Sequence, residues 1–214
     1  MRNITKGITY FKENGVLLFL ARVCRKACNF VYSFLAFGRT DINIDWSARI
    51  KGASCICFGQ NFYAGRGLWL DAVTHYRDQK FEPKIIFGDN VSMQDYVHIA
   101  ATNYVAIGNN VMFASKVYLS DHNHGTYEGN HQSGPLIPPF MRNLTSDKSV
   151  IIEDNVWIGE MVSIMPGVKI GQGSIIGSNA IVTKSIPPFS IAVGVPAKVI
   201  KTFDNEKLMW VTVK

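Results

Sequence analysis

The chain has 214 residues, of which 47% are hydrophobic and 18% are charged. The hydrophobic fraction is that of a globular protein and the charged fraction lies below the usual value of about 25%, which excludes intrinsic disorder of the whole chain. This length allows one domain or at most two. The net charge of +6 is spread along the chain. It suits a phosphate-bearing ligand or an anionic membrane better than a nucleic-acid groove, and no nucleic-acid partner is expected.

The first 39 residues predict one or two amphipathic helices. Apolar residues recur there at helical spacing, namely at Ile8, Phe11, Val16, Leu20, Val23, Ala27, Phe30, Val31, Phe34 and Leu35. We expect residues 1–39 to form a cap on the open end of the following domain, because an exposed terminal strand offers its edge to another chain. The alternative is a basic helix that makes peripheral contact with an anionic membrane.

Two further features of the chain bear on where it works. The apolar run from residue 15 to 21 is shorter than the roughly 20 residues that a membrane-spanning helix needs. The four cysteines, Cys24, Cys28, Cys55 and Cys57, have neither metal-knuckle nor disulfide-scaffold spacing and are expected to be buried thiols in a reducing compartment. We therefore expect a cytoplasmic protein, with the inner face of the membrane as the alternative location.

A six-residue repeat is the strongest feature of the sequence. From residue 150 onward, small or aliphatic residues recur in two columns, Val150, Val156, Val162, Val168, Ser174, Ala180 and Ile186, and Ile152, Ile158, Ile164, Ile170, Ile176 and Val182. A period of six is a multiple of the strand period and not of the helix period. The repeat predicts an all-β parallel solenoid over residues 40–203, rather than a sandwich, whose turns come about every 8–12 residues.

The repeat is interrupted at residues 71–84, 102–103 and 123–149. Stacked coils have little room for insertions, so each interruption is expected to leave from a corner. We expect residues 123–149 to form a long protruding loop, and loops of that length in a compact repeat are usually functional or disordered. Residues 204–214 are expected to form a short C-terminal tail.

The C-terminal repeats resemble those of the hexapeptide-repeat acyltransferases. The resemblance rests on Asn155-Val-Trp-Ile-Gly159, Met165-Pro-Gly-Val-Lys-Ile-Gly171, residues 175–184 and Gly194-Val-Pro-Ala-Lys198, which are similar to galactoside and maltose O-acetyltransferases. Ser120-Asp-His-Asn-His-Gly125 is similar to a stretch in O-acetyltransferases of bacterial surface polysaccharides. The resemblance implies a left-handed β-helix, a homotrimer with sites between subunits, and acetyl-coenzyme A as the cosubstrate.

The resemblance places the catalytic base at His124. Acetyl transfer to an alcohol needs a base that takes the hydroxyl proton while the oxygen attacks the thioester, and histidine suits this near neutral pH. The galactoside and maltose enzymes have their catalytic histidine seven positions after the aliphatic residue that matches Val117, which falls on His124. His122 is the competing candidate, and Asp121 is a candidate for fixing one nitrogen of the His124 ring. We expect direct attack, because no cysteine or serine has an activated setting.

The other site residues are also assigned by resemblance. The main-chain amide of Glu160 would stabilise the oxyanion, and Trp157 stands where the family packs an indole beside the site. The residues that match the pantetheine arm and the phosphate-binding lysines are Ser178, Thr183 and Lys184, and Lys198 and Lys201. Gln94 stands where the sugar acetyltransferases carry an acceptor-binding asparagine, and its longer side chain changes the reach. His75, His98 and His131 are expected to be structural or to face the acceptor.

Together these features predict an O-acetyltransferase that moves acetyl from acetyl-coenzyme A to a sugar hydroxyl of a bacterial surface polysaccharide or its precursor. A glycan or small-molecule alcohol is the expected acceptor, and no metal is expected. One alternative is an antibiotic O-acetyltransferase, because xenobiotic acetyltransferases resemble residues 166–171 and 187–189. A second is a zinc hydratase of the γ-carbonic anhydrase type, which needs three histidines such as His98, His122 and His124 to converge. A third is a catalytically silent scaffold.

Overall fold

Short strands recur along most of the chain because each six-residue repeat contributes one pair of strand residues and one turn. The computed structural model describes the backbone of residues 2–213 and the side chains of residues 9–213. Helix α1 (Arg2–Phe37) comes first, and 3-10 turns lie at Ala53–Cys55 and Pro139–Met141. The strands are β1 (Asn43–Ile44), β2 (Arg49–Lys51), β3 (Ile56–Cys57), β4 (Tyr63–Ala64), β5 (Trp69–Ala72), β6 (His75–Tyr76), β7 (Gln79–Lys80), β8 (Lys84–Phe87), β9 (Ser92–Met93), β10 (His98–Ala101), β11 (Tyr104–Ile107), β12 (Met112–Phe113), β13 (Tyr118–Ser120), β14 (Ser149–Ile152), β15 (Trp157–Ile158), β16 (Ser163–Ile164), β17 (Lys169–Ile170), β18 (Ile175–Ile176), β19 (Ile181–Val182), β20 (Ser190–Val193), β21 (Lys198–Asp204) and β22 (Met209–Thr212).

The chain visits three sheets in rotation. Sheet I has the order β1-β4-β9-β12-β15-β18-β20-β21-β22, sheet II has β19-β16-β13-β10-β5-β2, and sheet III has β17-β14-β11-β8-β3. Strands β12, β13 and β14 thus lie in sheets I, II and III, and β15 returns to sheet I in parallel register with β12. This rotation stacks the chain in three-sided coils of parallel strands. At the C-terminal end, β22 lies in the predicted tail and pairs antiparallel with β21.

The two predicted apolar columns line the interior of the stack. Their members are all at most 5% exposed, from Val150 to Ile186 in the first column and from Ile152 to Val182 in the second. Side chains alternate along a strand, so the neighbour of each buried residue points outward, as Trp157 does beside Ile158. Gly159 follows that strand where a Cβ atom would lie 2.6 Å from the Ser178 nitrogen. The prediction of a core built from the hexapeptide repeat is confirmed.

Helix α1 consists of two helical stretches separated at Gly15. The φ of 78° and ψ of 171° at this residue lie outside the helical region, and a positive φ favours glycine. The rings of Phe11 and Phe19 pack across the break with their centroids 5.6 Å apart. The side chain of Ile8, which the sequence assigned to the apolar pattern, lies outside the described residues. Within residues 2–213, no helix combines the length and apolarity needed to cross a bilayer.

The second stretch of α1 covers the open edge of β1, the terminal strand of sheet I. Alternate amides of that segment face away from the neighbouring strand, and the helix supplies their acceptors. The Ile44 amide donates to the Ser33 hydroxyl at 3.0 Å, and the Trp46 amide donates to the side-chain carbonyl oxygen of Asn29 at 3.1 Å. Both helical side chains are buried. The polar side of α1 therefore faces the coils, because unpaired strand amides need hydrogen-bond partners.

An ion pair fixes the same contact. Asp45 is 2% exposed and accepts hydrogen bonds from Arg25 at 2.6 Å and from the Ser47 hydroxyl at 2.6 Å. Burial raises the pKa of Asp45, but the hydrogen bonds from Arg25 and Ser47 outweigh this effect and lower the pKa to about 2. The carboxylate therefore stays charged at neutral pH and holds the helix on the first coil.

The cysteines are not the buried thiols that the sequence predicted. All are free; Cys24, Cys28 and Cys57 are exposed, and Cys55 is half-buried. Cys24 and Cys28 are one helical turn apart on α1, each one position before a residue that contacts the first coil. Cys57 is the outward residue of β3, whose other residue, Ile56, is buried. Strand alternation and the polar contact of α1 thus place these thiols outside the core.

Candidate functional site

A groove of about 540 Å³ lies beside strands β5, β10 and β13 of sheet II. Its lining includes Trp69, His98 and Tyr118 from those strands, His75 and Tyr76 from hairpin β6–β7, and His122 and His124 from the segment after β13. The first and third interruptions of the repeat, at residues 71–84 and 123–149, thus contribute to one groove. Among the predicted catalytic residues, both histidines line it, and Asp121 is fully buried next to them.

The strand face of the groove is an aromatic ladder. His98 lies in register with Trp69 on β5 and with Tyr118 on β13. Its ring stacks on the Trp69 ring at 4.0 Å between centroids and meets Tyr118 edge-on at 5.4 Å. Burial lowers the pKa of His98, Asp71 opposes this shift, and the Arg49 guanidinium reinforces it. A neutral His98 therefore forms part of the wall of the groove.

Asp121 is held by main-chain amides of the second interruption. Its carboxylate accepts hydrogen bonds from the amides of Thr102, Asn103 and Tyr104, each at 2.9 Å. It also lies 2.9 Å from Nδ1 of His122. A buried carboxylate is stable only when hydrogen bonds replace its hydration, and these donors provide them. Because an ionised carboxylate can only accept, His122 donates through Nδ1, and its Nε2 is left as the acceptor in the neutral ring.

His124 is oriented by a tyrosine rather than by a carboxylate. Its Nδ1 lies 3.2 Å from the Tyr76 hydroxyl, which itself donates to the main-chain oxygen of Phe140 at 2.7 Å. A phenol has one hydrogen, and the carbonyl takes it, so the hydroxyl oxygen must accept from Nδ1 of His124. The neutral His124 ring therefore carries its hydrogen on Nδ1 and an acceptor lone pair on Nε2. That is the tautomer required of a general base acting through Nε2.

Side chains of the interruption at residues 71–84 also bind main-chain groups of the interruption at residues 123–149. The Gln79 side chain on β7 accepts from the Leu144 amide at 2.7 Å and donates to the Leu144 carbonyl at 3.0 Å. Arg77 donates to the Met141 carbonyl. Residues 121–148 contain no strand in the structure, apart from an isolated bridge between His124 and Leu144. Hairpin β6–β7 therefore anchors the segment that carries both histidines.

The structure corrects one sequence assignment in this groove. Asp121 was a candidate partner for His124, but it contacts the adjacent His122 instead. The physical reason is that the three amides at residues 102–104 draw the carboxylate into the corner of the coil. The partner of His124, Tyr76, was not identified from the sequence. The only sequence signal for it was its place in the interruption at residues 71–84, because a hairpin contact across the chain leaves no periodic pattern.

The residues assigned to coenzyme A and acceptor do not line this groove within one chain. Gln94 is exposed at the turn after β9, and Trp157 is 46% exposed on the outer face of sheet I. The remaining members lie at the turns after β15, β18 and β19 and on β21, and they are Glu160, Ser178, Thr183, Lys184, Lys198 and Lys201. In the described part of the chain, no acceptor binds the Glu160 amide, whereas its carbonyl accepts from the Asn179 amide at 2.8 Å.

The zinc hydratase alternative depends on histidines that converge with metal-ligand geometry. Among residues 9–213, no group of three or more histidine, cysteine, aspartate or glutamate side chains is arranged to hold a metal ion. His98, His122 and His124 line the same groove, but His122 and His124 use Nδ1 for Asp121 and Tyr76 respectively.

Comparison with known proteins places the chain in a family. Residues 149–184 match the model "Bacterial transferase hexapeptide (six repeats)". WbbJ of Escherichia coli (strain K12), which carries the provisional name lipopolysaccharide biosynthesis O-acetyl transferase, is 44% identical over 162 residues, covering 75% of this chain and 79% of WbbJ. The chain belongs to the hexapeptide-repeat acyltransferases. Galactoside O-acetyltransferase of the same organism is 33% identical over 141 residues, which are 66% of this chain and 64% of that protein.

Solved structures of hexapeptide-repeat acyltransferases have the same fold. A point mutant of AntD, an N-acyltransferase from Bacillus cereus crystallised with dTDP and coenzyme A, has a TM-score of 0.56 at 21% identity, covering 78% of this chain and 84% of that one. The hexapeptide-repeat-containing acetyltransferase VCA0836 from Vibrio cholerae has a TM-score of 0.50 at 20% identity, covering 84% and 82%. Family membership implies the left-handed β-helix. It also confirms the predicted enzyme class, an acetyltransferase with acetyl-coenzyme A as the donor.

Proposed function

We propose that this hexapeptide-repeat acyltransferase is an O-acetyltransferase of a sugar hydroxyl in a bacterial surface polysaccharide or its precursor. The observation that carries the proposal is His124, whose Nδ1 is occupied by Tyr76 and whose Nε2 is free to accept a proton in an aromatic-walled groove. The relationship to WbbJ supports the polysaccharide acceptor. The exposed Tyr118 side chain provides an apolar surface on which a sugar ring can pack, whereas the two faces of the Trp69 ring are covered by His98 and Arg49.

His124 acts as the general base in this proposal. The acceptor hydroxyl binds in the groove and gives its proton to Nε2 while its oxygen attacks the thioester carbonyl carbon. The main-chain amide of Glu160, which has no acceptor in the described chain, donates to the oxyanion. The tetrahedral intermediate then expels the coenzyme A thiolate, which takes the proton back from His124. The attack is direct and forms no acyl-enzyme.

A homotrimer would complete the site. The histidine groove lies on sheet II, whereas Trp157 lies on sheet I and the other proposed coenzyme residues lie at turns and on β21. A donor and an acceptor must meet within bonding distance, so one chain cannot supply both sets to one reaction centre. We propose that the groove of one subunit faces Trp157, Glu160, Ser178, Thr183, Lys184, Lys198 and Lys201 of its neighbour, with Gln94 on the acceptor side.

The proposed domain boundaries rest on the hydrogen bonds that tie each segment to the coils. Residues 1–39 form the cap, because the Ser33 and Asn29 side chains occupy the open edge of β1. Residues 40–203 form the acyltransferase domain, and residues 123–149 form a loop that leaves the coil and is tied to hairpin β6–β7 through Gln79. Residues 204–214 form the C-terminal segment.

The base is tested by matched histidine variants. We expect His124→Ala to lower turnover with acetyl-coenzyme A and a glycan acceptor by about 10²- to 10⁴-fold, with the KM for acetyl-coenzyme A little changed. His75→Ala is the control, because His75 is exposed on the lining of the same groove and its Nδ1 contacts only the Thr74 hydroxyl. Near-normal turnover of His124→Ala, together with loss in His122→Ala, would transfer the base to His122.

The acceptor is tested by mass spectrometry of acetylated products. The panel consists of surface-polysaccharide repeat units, simple galactosides and hydroxyl-bearing antibiotics, each offered with acetyl-coenzyme A. We expect acetylation of the polysaccharide units at the highest kcat/KM. Acetylation confined to the antibiotics would replace the proposed acceptor. Light scattering of the purified protein gives the oligomeric state, and an active monomer would contradict the shared site.

A further inference from the structure

Helix α1 carries most of its apolar side chains on the face turned away from the coils, whereas Tyr32 and Phe37 pack against the core. Arg25, Asn29 and Ser33, spaced by four residues, point to the first coil and hold it through hydrogen bonds. On the opposite side lie Val16 at 54% exposure, Leu20 at 51%, Val23 at 47%, Val31 at 52% and Phe34 at 51%, which together with the exposed Ala27 are spaced by three or four positions. Leu17, Phe30 and Leu35 widen this strip. We call residues 16–35 of this face the apolar strip.

The strip is larger than an ordinary scatter of exposed apolar residues. Single exposed leucines are normal, but a contiguous exposed apolar surface in a water-soluble fold marks an interaction site. The helix cannot turn the strip inward, because the β1 edge is already satisfied by Asn29 and Ser33 and the Asp45 carboxylate is paired with Arg25. Hydrogen bonding at the edge of the coil thus forces the apolar side outward.

The charges around the strip select its occupant. From residue 14 to residue 40 the chain has no acidic residue and four basic residues, of which Arg25 and Arg39 are paired with Asp45 and Asp41, whereas Arg22 and Lys26 are exposed. Two copies of this helix packed strip to strip would bring their flanking cations, Lys26 among them, together without a compensating acid. An anionic lipid surface instead attracts these cations while its acyl boundary receives the apolar side chains.

We propose that the apolar strip of α1 docks the protein on the surface of an anionic lipid bilayer, with the helix lying in the plane of the interface. The helix enters the headgroup region with Leu20, Val31 and Phe34, and Lys26 lies beside the lipid phosphates. The coils remain outside the bilayer, because their contact with α1 is on the opposite, polar side of the helix. The proposal rests on α1 alone and does not depend on the acetyl acceptor.

The test is flotation of the full-length protein with lipid vesicles. One set of vesicles is phosphatidylcholine, and the other contains equal parts of phosphatidylcholine and phosphatidylglycerol. We expect the protein to float with the anionic vesicles and to bind the zwitterionic ones weakly. The double variant Leu20→Glu, Phe34→Glu should bind the anionic vesicles about tenfold or more weakly, since each change places a charge where the acyl chains lie. Leu208→Glu is the control, because Leu208 is 77% exposed between β21 and β22.

A milder variant separates the charge from the apolar contact. Lys26→Gln should weaken binding to the anionic vesicles by about fivefold and leave binding to phosphatidylcholine unchanged. Lys116→Gln, an exposed lysine at a corner of the coils, should bind like the wild type. Circular dichroism of every variant verifies that the helix and strands are retained.

Two outcomes would overturn the proposal. One is wild-type protein that stays at the bottom of the gradient with both lipids, or floats equally well with both. The other is a double variant that floats like the wild type but has a different molar mass by light scattering, which would assign the strip to a second copy of the chain. Acetyl transfer to a water-soluble acceptor is measured in parallel, so a failure of lipid binding is distinguished from a failure of the proposed enzyme activity.

Discussion

The regular coils from β14 to β19 and the interrupted coils around β5, β10 and β13 are made from the same hexapeptides but have different roles. In the regular coils, each hexapeptide gives one buried and one outward residue, as Ile158 and Trp157 show. In the interrupted coils, the extra residues fold back on the outer face of sheet II and bring His122, His124 and Tyr76 together.

This difference teaches where chemistry is accommodated in a solenoid. A hexapeptide leaves little choice of side-chain direction, because its pleat and its corner are fixed by the stack. An interruption is free to form contacts of its own, such as the pairing of Gln79 with Leu144. The regular coils thus supply a rigid wall for the proposed donor, and the interruptions orient His124, the proposed proton acceptor.

The largest effect is expected at Asp121, whose carboxylate binds the main-chain amides of residues 102–104 and so holds the segment after β13. Asp121→Asn places an amide group among the donors of residues 102–104, and we expect the free energy of unfolding to fall by about 2–4 kcal/mol. Denaturant titration measures this change. Asp147→Asn is the control, because Asp147 is exposed in the same interruption. A change below about 0.5 kcal/mol in Asp121→Asn would show that the buried carboxylate does not support the corner.

A smaller effect is expected from Tyr76, which orients His124 without bearing the fold. Tyr76→Phe keeps the ring but removes the oxygen that accepts from Nδ1, so His124 samples both tautomers. We expect kcat to fall about tenfold with a shifted pH profile, and the free energy of unfolding to fall by no more than about 1 kcal/mol, because the hydrogen bond to the Phe140 carbonyl is also lost. Tyr104→Phe, on sheet III, serves as the matched phenol variant. Equal kcat and pH profiles for Tyr76→Phe and wild type would remove the tyrosine from the proposed mechanism.

The regular C-terminal coils should respond in binding rather than in turnover. Lys198→Gln and Lys201→Gln each remove one positive charge from β21, and we expect the KM for acetyl-coenzyme A to rise about fivefold while kcat is retained. Steady-state kinetics with varied acetyl-coenzyme A measures both constants, and Lys116→Gln is the control. A fall in kcat at unchanged KM would contradict the assignment of donor binding to this end of the coils.

The smallest expected effect concerns the pH dependence of stability at His98. Its pKa is lowered in the folded state, so the unfolded chain binds more protons just below its own pKa of about 6.5. The free energy of unfolding should therefore fall as the pH drops from 7 to 5, by less than about 1 kcal/mol from this group. His98→Phe keeps the stack on Trp69 and should flatten that slope, whereas exposed His131→Phe should not. An equal dependence of the free energy of unfolding on pH in His98→Phe and His131→Phe would show that His98 does not cause this dependence.

Periodic features were predictable from the sequence, and contacts between distant segments were not. The burial of Val156 and Ile158 follows from their spacing, because residues that recur every six positions point to the same side of the coil in each repeat. His124 was assigned by resemblance to the galactoside and maltose acetyltransferases and not by periodicity, and its role as the base stays a prediction. Asp121 was assigned to the wrong histidine, and Tyr76 was not assigned, because both contacts depend on how residues from different coils meet in space.

The apolar face of α1 shows the same limit. The spacing of Leu20, Val23 and Phe34 predicts an amphipathic helix, and amphipathic helices usually turn their apolar side inward. Here the amides of β1 compete for that side, and Ser33 and Asn29 satisfy them. The side of α1 that faces the coils is therefore determined by the hydrogen-bond acceptors that the β1 amides lack. The sequence pattern of the helix alone does not contain this information.

The closure of β1 by Ser33 and Asn29 also determines how molecules can assemble. A bare first coil would accept the last strand of another molecule, and repetition of that contact would give a filament of unlimited length. The Ser33 hydroxyl and the Asn29 carboxamide instead bind the amides at the edge of β1, so the hydrogen-bonded ladder of sheet I ends within one molecule. Strands of another molecule cannot then be added to sheet I at this end, so molecules are left to associate side by side.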